Sequence, residues 1–117
     1  MVIDDEAIIA LDLSYKLIDK GFTVYQTDDY YKALEFIPDK KPDIIIIDLK
    51  LKHGYNGMDI YNKYKEDDYK FIFISGNDHT KELDELIETG KVQFIDKPFT
   101  FEDLFKKINS ILDSWIL

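Results

Sequence analysis

Pro42-Asp43-Ile44-Ile45-Ile46-Ile47-Asp48 is the stretch that decides the fold. Four consecutive isoleucines leave no polar face. A strand built from them must be covered on both sides, as in a parallel sheet. The spacing predicts this strand over 43–48, opened by Pro42 and ended by Asp48. Working outward, short apolar runs alternate with amphipathic stretches. Strands are predicted at 1–3, 22–25, 69–75 and 92–96, and helices over 6–20, 29–37, 57–66, 80–89 and 101–115. Ile8, Leu11, Ser14, Tyr15 and Ile18 mark the first helix, with Gly21 just past its end. Pro38 is expected to end the second, and Gly90 to cap the fourth. Thr100 and Asp103 have capping-box spacing, and Leu104, Ile108, Ile111, Leu112 and Trp115 share one side of the last helix. A turn is read at 76–78.

Five strand–helix units imply an α/β three-layer sandwich around a five-stranded parallel sheet. Right-handed crossovers put helices on both faces, and the expected strand order is 2-1-3-4-5, the flavodoxin-like (βα)5 arrangement. The whole chain, 1–117, reads as one domain with a first strand cut short.

Composition narrows the function. The chain has 117 residues and carries 24 acidic side chains against 15 basic ones, a net charge of −9. Every basic residue is Lys, and Cys is absent. No disulfide, thiol nucleophile or Cys-ligated metal is available. A phosphate-backbone partner is disfavoured because no Lys/Arg stripe exists, so no direct nucleic-acid contact is expected. The longest apolar run falls far short of the roughly 20 residues needed to span a bilayer. With no basic leader before an apolar segment, the expected compartment is the cytoplasm, with no membrane contact.

In open α/β sheets, ligands bind outside the carboxyl ends of the strands. Here those ends carry Asp4-Asp5-Glu6, Asp48, Ser75-Gly76 and Asp96-Lys97-Pro98. Two like unit charges at ~4 Å cost about 4 kcal/mol at an effective dielectric near 20. Asp4, Asp5 and Asp48 against Lys97 leave an excess that suits one divalent cation. Hard oxygen ligands favour Mg²⁺. A carboxylate is a legitimate nucleophile toward a phosphoryl group. Asp48 is the best candidate, because it ends the most buried strand with no acid beside it.

These pieces, VIDDE (2–6), IIIIDLKL (44–51), FISG (73–76) and FIDKPF (94–99), resemble the receiver domain of two-component response regulators, and the resemblance covers the whole chain. It implies that Asp48 is phosphorylated by a sensor histidine kinase, a phosphotransfer protein or a small phosphodonor. It also implies a downstream effector domain or protein as partner, in a monomer or weak homodimer. Asp5 and Asp48 would bind Mg²⁺ directly, Asp4 through water, and the Lys50 carbonyl would complete the protein ligands. Ser75 would contact the phosphoryl group, Lys97 would pair with it, and Phe94 would be the switch aromatic. The Lys97–Pro98 peptide would be cis. Lys50 and Asn77 flank the site and would tune hydrolysis.

The chain departs from the family pattern. Its first strand is short, Lys52 stands where the family usually has Pro, Gly57 comes one residue late, and Phe94 replaces Tyr. Blander readings stand beside the sharp ones. Asp4 and Asp5 suit a helix N-terminus, Ser75 an ordinary turn, and Phe94 plain core. His53 and His79 lie in loops without supporting groups. A phosphorylation-independent binding module is the alternative. A small-substrate phosphohydrolase is disfavoured by Lys50 standing where such enzymes carry a second Asp.

Overall fold

The computed structural model describes residues 1–76 and 80–116, with side chains through Asp113. Along the chain run β1 (Val2–Ile3), α1 (Ala7–Asp19), β2 (Gln26–Thr27), α2 (Tyr30–Lys40), β3 (Ile44–Asp48), a 3₁₀ turn (Lys52–Gly54), α3 (Gly57–Tyr64), β4 (Lys70–Ser75), α4 (Lys81–Glu88), β5 (Gln93–Asp96) and α5 (Phe101–Ile116). All strand pairs are parallel, and the order is β2-β1-β3-β4-β5, as the alternating pattern predicts. The Asn77, Asp78 and His79 readings, and the Trp115 side chain, lie outside the described residues.

The isoleucine run explains the layers. Successive side chains of a strand point to opposite faces. Ile45 and Ile47 join Phe71 and Phe73 under Ala33 and Ile37 of α2, Met58 and Ile60 of α3 and Leu83 of α4. Ile46 faces the other way, with Ile72, Ile74 and Ile95, against Leu13 and Leu17 of α1 and Leu104 and Ile108 of α5. The Thr100–Asp103 capping box forms: Asp103 N–H donates to Thr100 Oγ1 at 3.1 Å, and Thr100 N–H to Asp103 Oδ2 at 3.5 Å.

Three expectations are corrected. The second strand lies at Gln26–Thr27, downstream of the aromatic run 22–25. A ladder forms only where a neighbour offers partners, and Val2 and Ile3 pair with Gln26 and Thr27. The run 22–25 supplies packing instead, with Phe22 and Val24 against one cluster and Tyr25 against the other. On α1 the expected markers other than Ser14 face solvent. Ile8, Leu11, Tyr15 and Ile18 are 84, 42, 65 and 52% exposed, whereas Ala10, Leu13, Ser14 and Leu17 are buried. The smaller Ala10 and Ser14 let the helix approach the sheet, and Ser14 Oγ donates to Ala10 O at 2.7 Å.

Pro38 does not end the second helix. α2 runs on to Lys40 and stops at Lys41, in the left-handed conformation at φ 47°. A proline inside a helix leaves the carbonyl four residues back without its donor. That carbonyl belongs to Leu34, and the Tyr64 hydroxyl donates to it at 2.9 Å. Tyr69 donates similarly to Ile37 O at 3.2 Å. Tertiary contacts therefore replace the missing helical bond. Tyr64→Phe should cost about 1 kcal/mol in urea unfolding. In a Pro38→Ala background the restored N–H can serve Leu34, so the same change should cost markedly less.

Candidate functional site

The sheet brings Asp4, Asp48, Ser75 and Lys97 to its carboxyl edge from four separate strands. Asp48, the last residue of β3, is buried. Its Oδ2 accepts from Lys97 Nζ at 2.6 Å, and its Oδ1 accepts from the Lys50 backbone N–H at 3.0 Å. Lys97 follows β5, and the Lys97–Pro98 peptide is cis. Lys97 Nζ also reaches Glu6 Oε1 at 3.4 Å. Asp4 is fully buried just past β1, where its Oδ1 accepts from the Glu6 N–H at 2.8 Å. Its Oδ2 is buried with no hydrogen-bond partner. The carboxylate oxygens of Asp4, Asp5 and Glu6 lie within 4.8 Å of one another.

Titration follows burial. Burial foremost, with the charge of Asp48 and contact with Asp5, pushes Asp4 from 3.8 up to about 7. Burial raises Asp48 as well, against the opposing pull of the Lys97 and Lys50 donors. Burial alone would lower Lys97, but its bond and attraction to Asp48 prevail, and its net shift is upward. The two partners differ because Asp48 is the more deeply enclosed: its side chain is 5% exposed, against 29% for Lys97. An orphaned oxygen among clustered carboxylates is a fit for a hard dication such as Mg²⁺, which would replace the missing partner and offset the repulsion.

The remaining candidates sit close by in altered relations. Ser75 ends β4, fully buried, but its hydroxyl donates to Asp96 Oδ1 at 3.2 Å. Phe94 lies half-buried on β5, with Lys107 Nζ 5.6 Å from its ring centre. The Lys50 side chain is exposed, and Asn77 lies outside the described residues. Glu6 and Asp96 received no role in the sequence reading. Each adjoins a site residue, and that adjacency was the available signal.

The loop after Asp48 is closed by its own backbone. Leu51 N–H donates to Tyr55 O at 2.9 Å, and Gly57 N–H to Leu49 O at 2.8 Å. His53 and Gly54 both lie at positive φ, 62° and 77°. From α2, Tyr30 stacks on Tyr55 at 4.2 Å, and the Tyr31 and Tyr55 hydroxyls meet at 2.6 Å. Lys52 pairs with Asp28 at 2.6 Å. Gly57 opens α3 directly against Asp48, where a Cβ would stand 2.5 Å from the Asp48 carbonyl oxygen.

A five-stranded parallel sheet in the order 2-1-3-4-5, with helices on both faces, is the architecture of the receiver class of signalling domain. The model of the response regulator receiver domain matches residues 1–109, and the chain belongs to that family. It is 28% identical over 114 residues to the sensory transduction protein BceR of Halalkalibacterium halodurans, covering 96% of this chain and 48% of that protein. The chain thus spans about half the length of that curated relative. The receiver domain of NtrX from Brucella abortus superposes with a TM-score of 0.82 at 26% identity, covering 96% of each chain. The signal receiver domain of a LuxO repressor protein from Vibrio parahaemolyticus gives 0.83 at 22% identity, over 97% of this chain and 88% of that one, a likeness of fold. No helix among the described residues is long and apolar enough to cross a membrane.

Two outcomes follow from this geometry. The fold favours protonated Asp4, because its folded value stands above its unfolded one. Its contribution is whole below about pH 4 and is lost as pH rises through about 7. Without Mg²⁺, Asp4→Asn should therefore raise stability at pH 8 by on the order of 2–4 kcal/mol in urea unfolding, with little gain at pH 4. Gly57→Ala should cost about 1–3 kcal/mol, read in the same assay, because the new methyl displaces the Asp48 backbone.

Proposed function

We propose that the chain, taken as one receiver unit over 1–117, is the phospho-acceptor switch of a two-component phosphorelay, with Asp48 as the acceptor. The observation that carries this is the 2.6 Å contact between Lys97 Nζ and Asp48 Oδ2, 49 residues apart in sequence. It puts the ammonium of Lys97 on the buried carboxylate that ends β3. A freed Asp48 oxygen attacks phosphorus. The new O–P bond forms as the donor's bond to phosphorus breaks, and the electron pair leaves with the donor. A sensor histidine kinase, a phosphotransfer protein or a small acyl phosphate would supply the group.

Each neighbour has a part in this reading. Lys97 keeps Asp48 ionised against its burial, then follows the added negative charge. The Lys50 N–H orients Oδ1, so the acceptor does not rotate freely. Asp4, Asp5, Asp48 and the Lys50 carbonyl would hold Mg²⁺, which when bound neutralises charge on the transferring oxygens. Glu6, within reach of Lys97, gives that ammonium a resting partner when it moves. Ser75 would donate to a phosphoryl oxygen, and Phe94 would turn inward as the surface of α4, β5 and α5 changes. That surface would be read by an effector domain or protein in the cytoplasm, from a monomer or weak homodimer. The Lys50 ammonium and Asn77 would tune how long the phosphoryl group lasts.

The test is acetyl phosphate with Mg²⁺, followed by intact mass. The wild type should gain one phosphoryl group, lose it to water once excess donor is removed, and fail to gain it without Mg²⁺. Asp48→Asn should gain none. Uptake by Asp48→Asn equal to wild type would place the acceptor elsewhere.

A further inference from the structure

Ser75 occupies a particular place in the sheet. β4 lies between β3 and β5. Asp48 pairs in register with Ile74, and Ser75 with Asp96. The hydroxyl thus sits one step past the acceptor, with a carboxylate beside it on the far strand. Lys97 N–H donates to Ser75 O at 2.7 Å, which fixes the backbone here. The side chain is fully buried, while Asp96 is exposed.

A hydroxyl has one proton to give, and an ionised carboxylate only accepts. In this structure the Ser75 proton goes to Asp96 Oδ1, at 3.2 Å. We propose that Asp96 is a positioning residue that competes with the phosphoryl group for the Ser75 hydroxyl, and so sets how readily the switch engages. The proposal rests on the reading of Asp48 as acceptor. A phosphoryl group on Asp48 brings strong acceptor oxygens. Ser75 can serve them only by leaving Asp96, so the engaged state forms at the expense of an existing charge-assisted bond. Removing Asp96 removes that competitor and leaves the Ser75 proton uncommitted.

Asp96 also contributes negative charge, which disfavours any anion nearby, and the two effects must be told apart. A field effect would act on every ion at the site. Its loss would strengthen an anion and weaken a cation, whatever residue stands at 75. An effect through the hydroxyl requires Ser75 and leaves the cation unchanged.

The experiment is calorimetric titration of beryllofluoride, a phosphoryl mimic, in saturating Mg²⁺, with a separate titration of Mg²⁺ alone. The proteins are wild type, Asp96→Ala, Ser75→Ala and the double variant. Asp96→Ala should tighten beryllofluoride binding about three- to tenfold, the scale of one hydrogen bond. In the Ser75→Ala background the same change should give less than about twofold, and Mg²⁺ affinity should not move. Equal tightening in both backgrounds, weaker Mg²⁺ binding matching the gain, or no tightening at all would each overturn the role of Asp96. Asp48→Asn is titrated alongside: if it binds beryllofluoride as well as wild type does, the acceptor reading falls and this proposal falls with it, a result distinct from the first three.

Discussion

The enclosure of acidic groups at one sheet edge, balanced by one ammonium, is the constraint on which the site depends. Asp4 and Asp48 are both buried, and Asp5 and Glu6 crowd the same corner. Lys97 is in contact with Asp48 and Glu6 at once. Burying such groups works against stability unless charge is paired or protonated. The structure shows both remedies in part. Asp48 has its lysine, while Asp4 is pushed toward neutrality and keeps one oxygen without a partner. A sheet selected for stability alone would put hydrophobic side chains here. Retaining a strained acidic corner inside a well-packed α/β sandwich is what local conflict at a functional site looks like.

That corner is held by rigid parts. β3 delivers Asp48 from between two hydrophobic layers, so moving its backbone disturbs packing on both faces. Gly57 presses α3 against the Asp48 carbonyl, at a distance that tolerates no side chain. The loop between them crosses two consecutive positive-φ residues, an arrangement with little intrinsic preference of its own. Its geometry is supplied from outside, by the Tyr30–Tyr55 stack, the Tyr31–Tyr55 hydroxyl pair and the Lys52–Asp28 pair. Lys52 thus restrains the loop through an ion pair to the segment that precedes α2.

The sequence was readable where a single physical cause acts alone. Four isoleucines suit a doubly covered strand, and five alternations of strand and helix point to a parallel sheet. The acid and lysine positions followed from the strand ends. It was unreadable where two causes compete. α1 is apolar nearly all round, so periodicity offered two stripes. The choice fell to Ala10 and Ser14, whose small size matters only once the sheet is present. Pro38 obeyed its local rule in losing a bond, but Tyr64, 26 residues on, supplied the replacement. No local pattern encodes that. The β2 ladder was misplaced for the same reason, since its position is set by the extent of β1. The contact of Asp96 with Ser75 is a matter of cross-strand register, which arises only when β4 and β5 are side by side.

The hydrogen bonds of the corner share a further property. Lys97 is bonded to the Asp48 oxygen that a phosphoryl group would need, and Ser75 gives its proton to Asp96. Asp4 leaves an acceptor unused. In the proposed switch, the bonds of Lys97 to Asp48 and of Ser75 to Asp96 would be exchanged on phosphorylation, whereas the unused Asp4 oxygen is open to a cation. In that reading the two states would differ by the exchange of one set of hydrogen bonds for another. Such a difference is easily tilted by one added charge, because a ligand shifts a two-state equilibrium only by its differential affinity. A site whose groups were all unpaired at rest would be more costly to fold. It would also close on any available anion, and so would respond poorly to a specific phosphoryl donor.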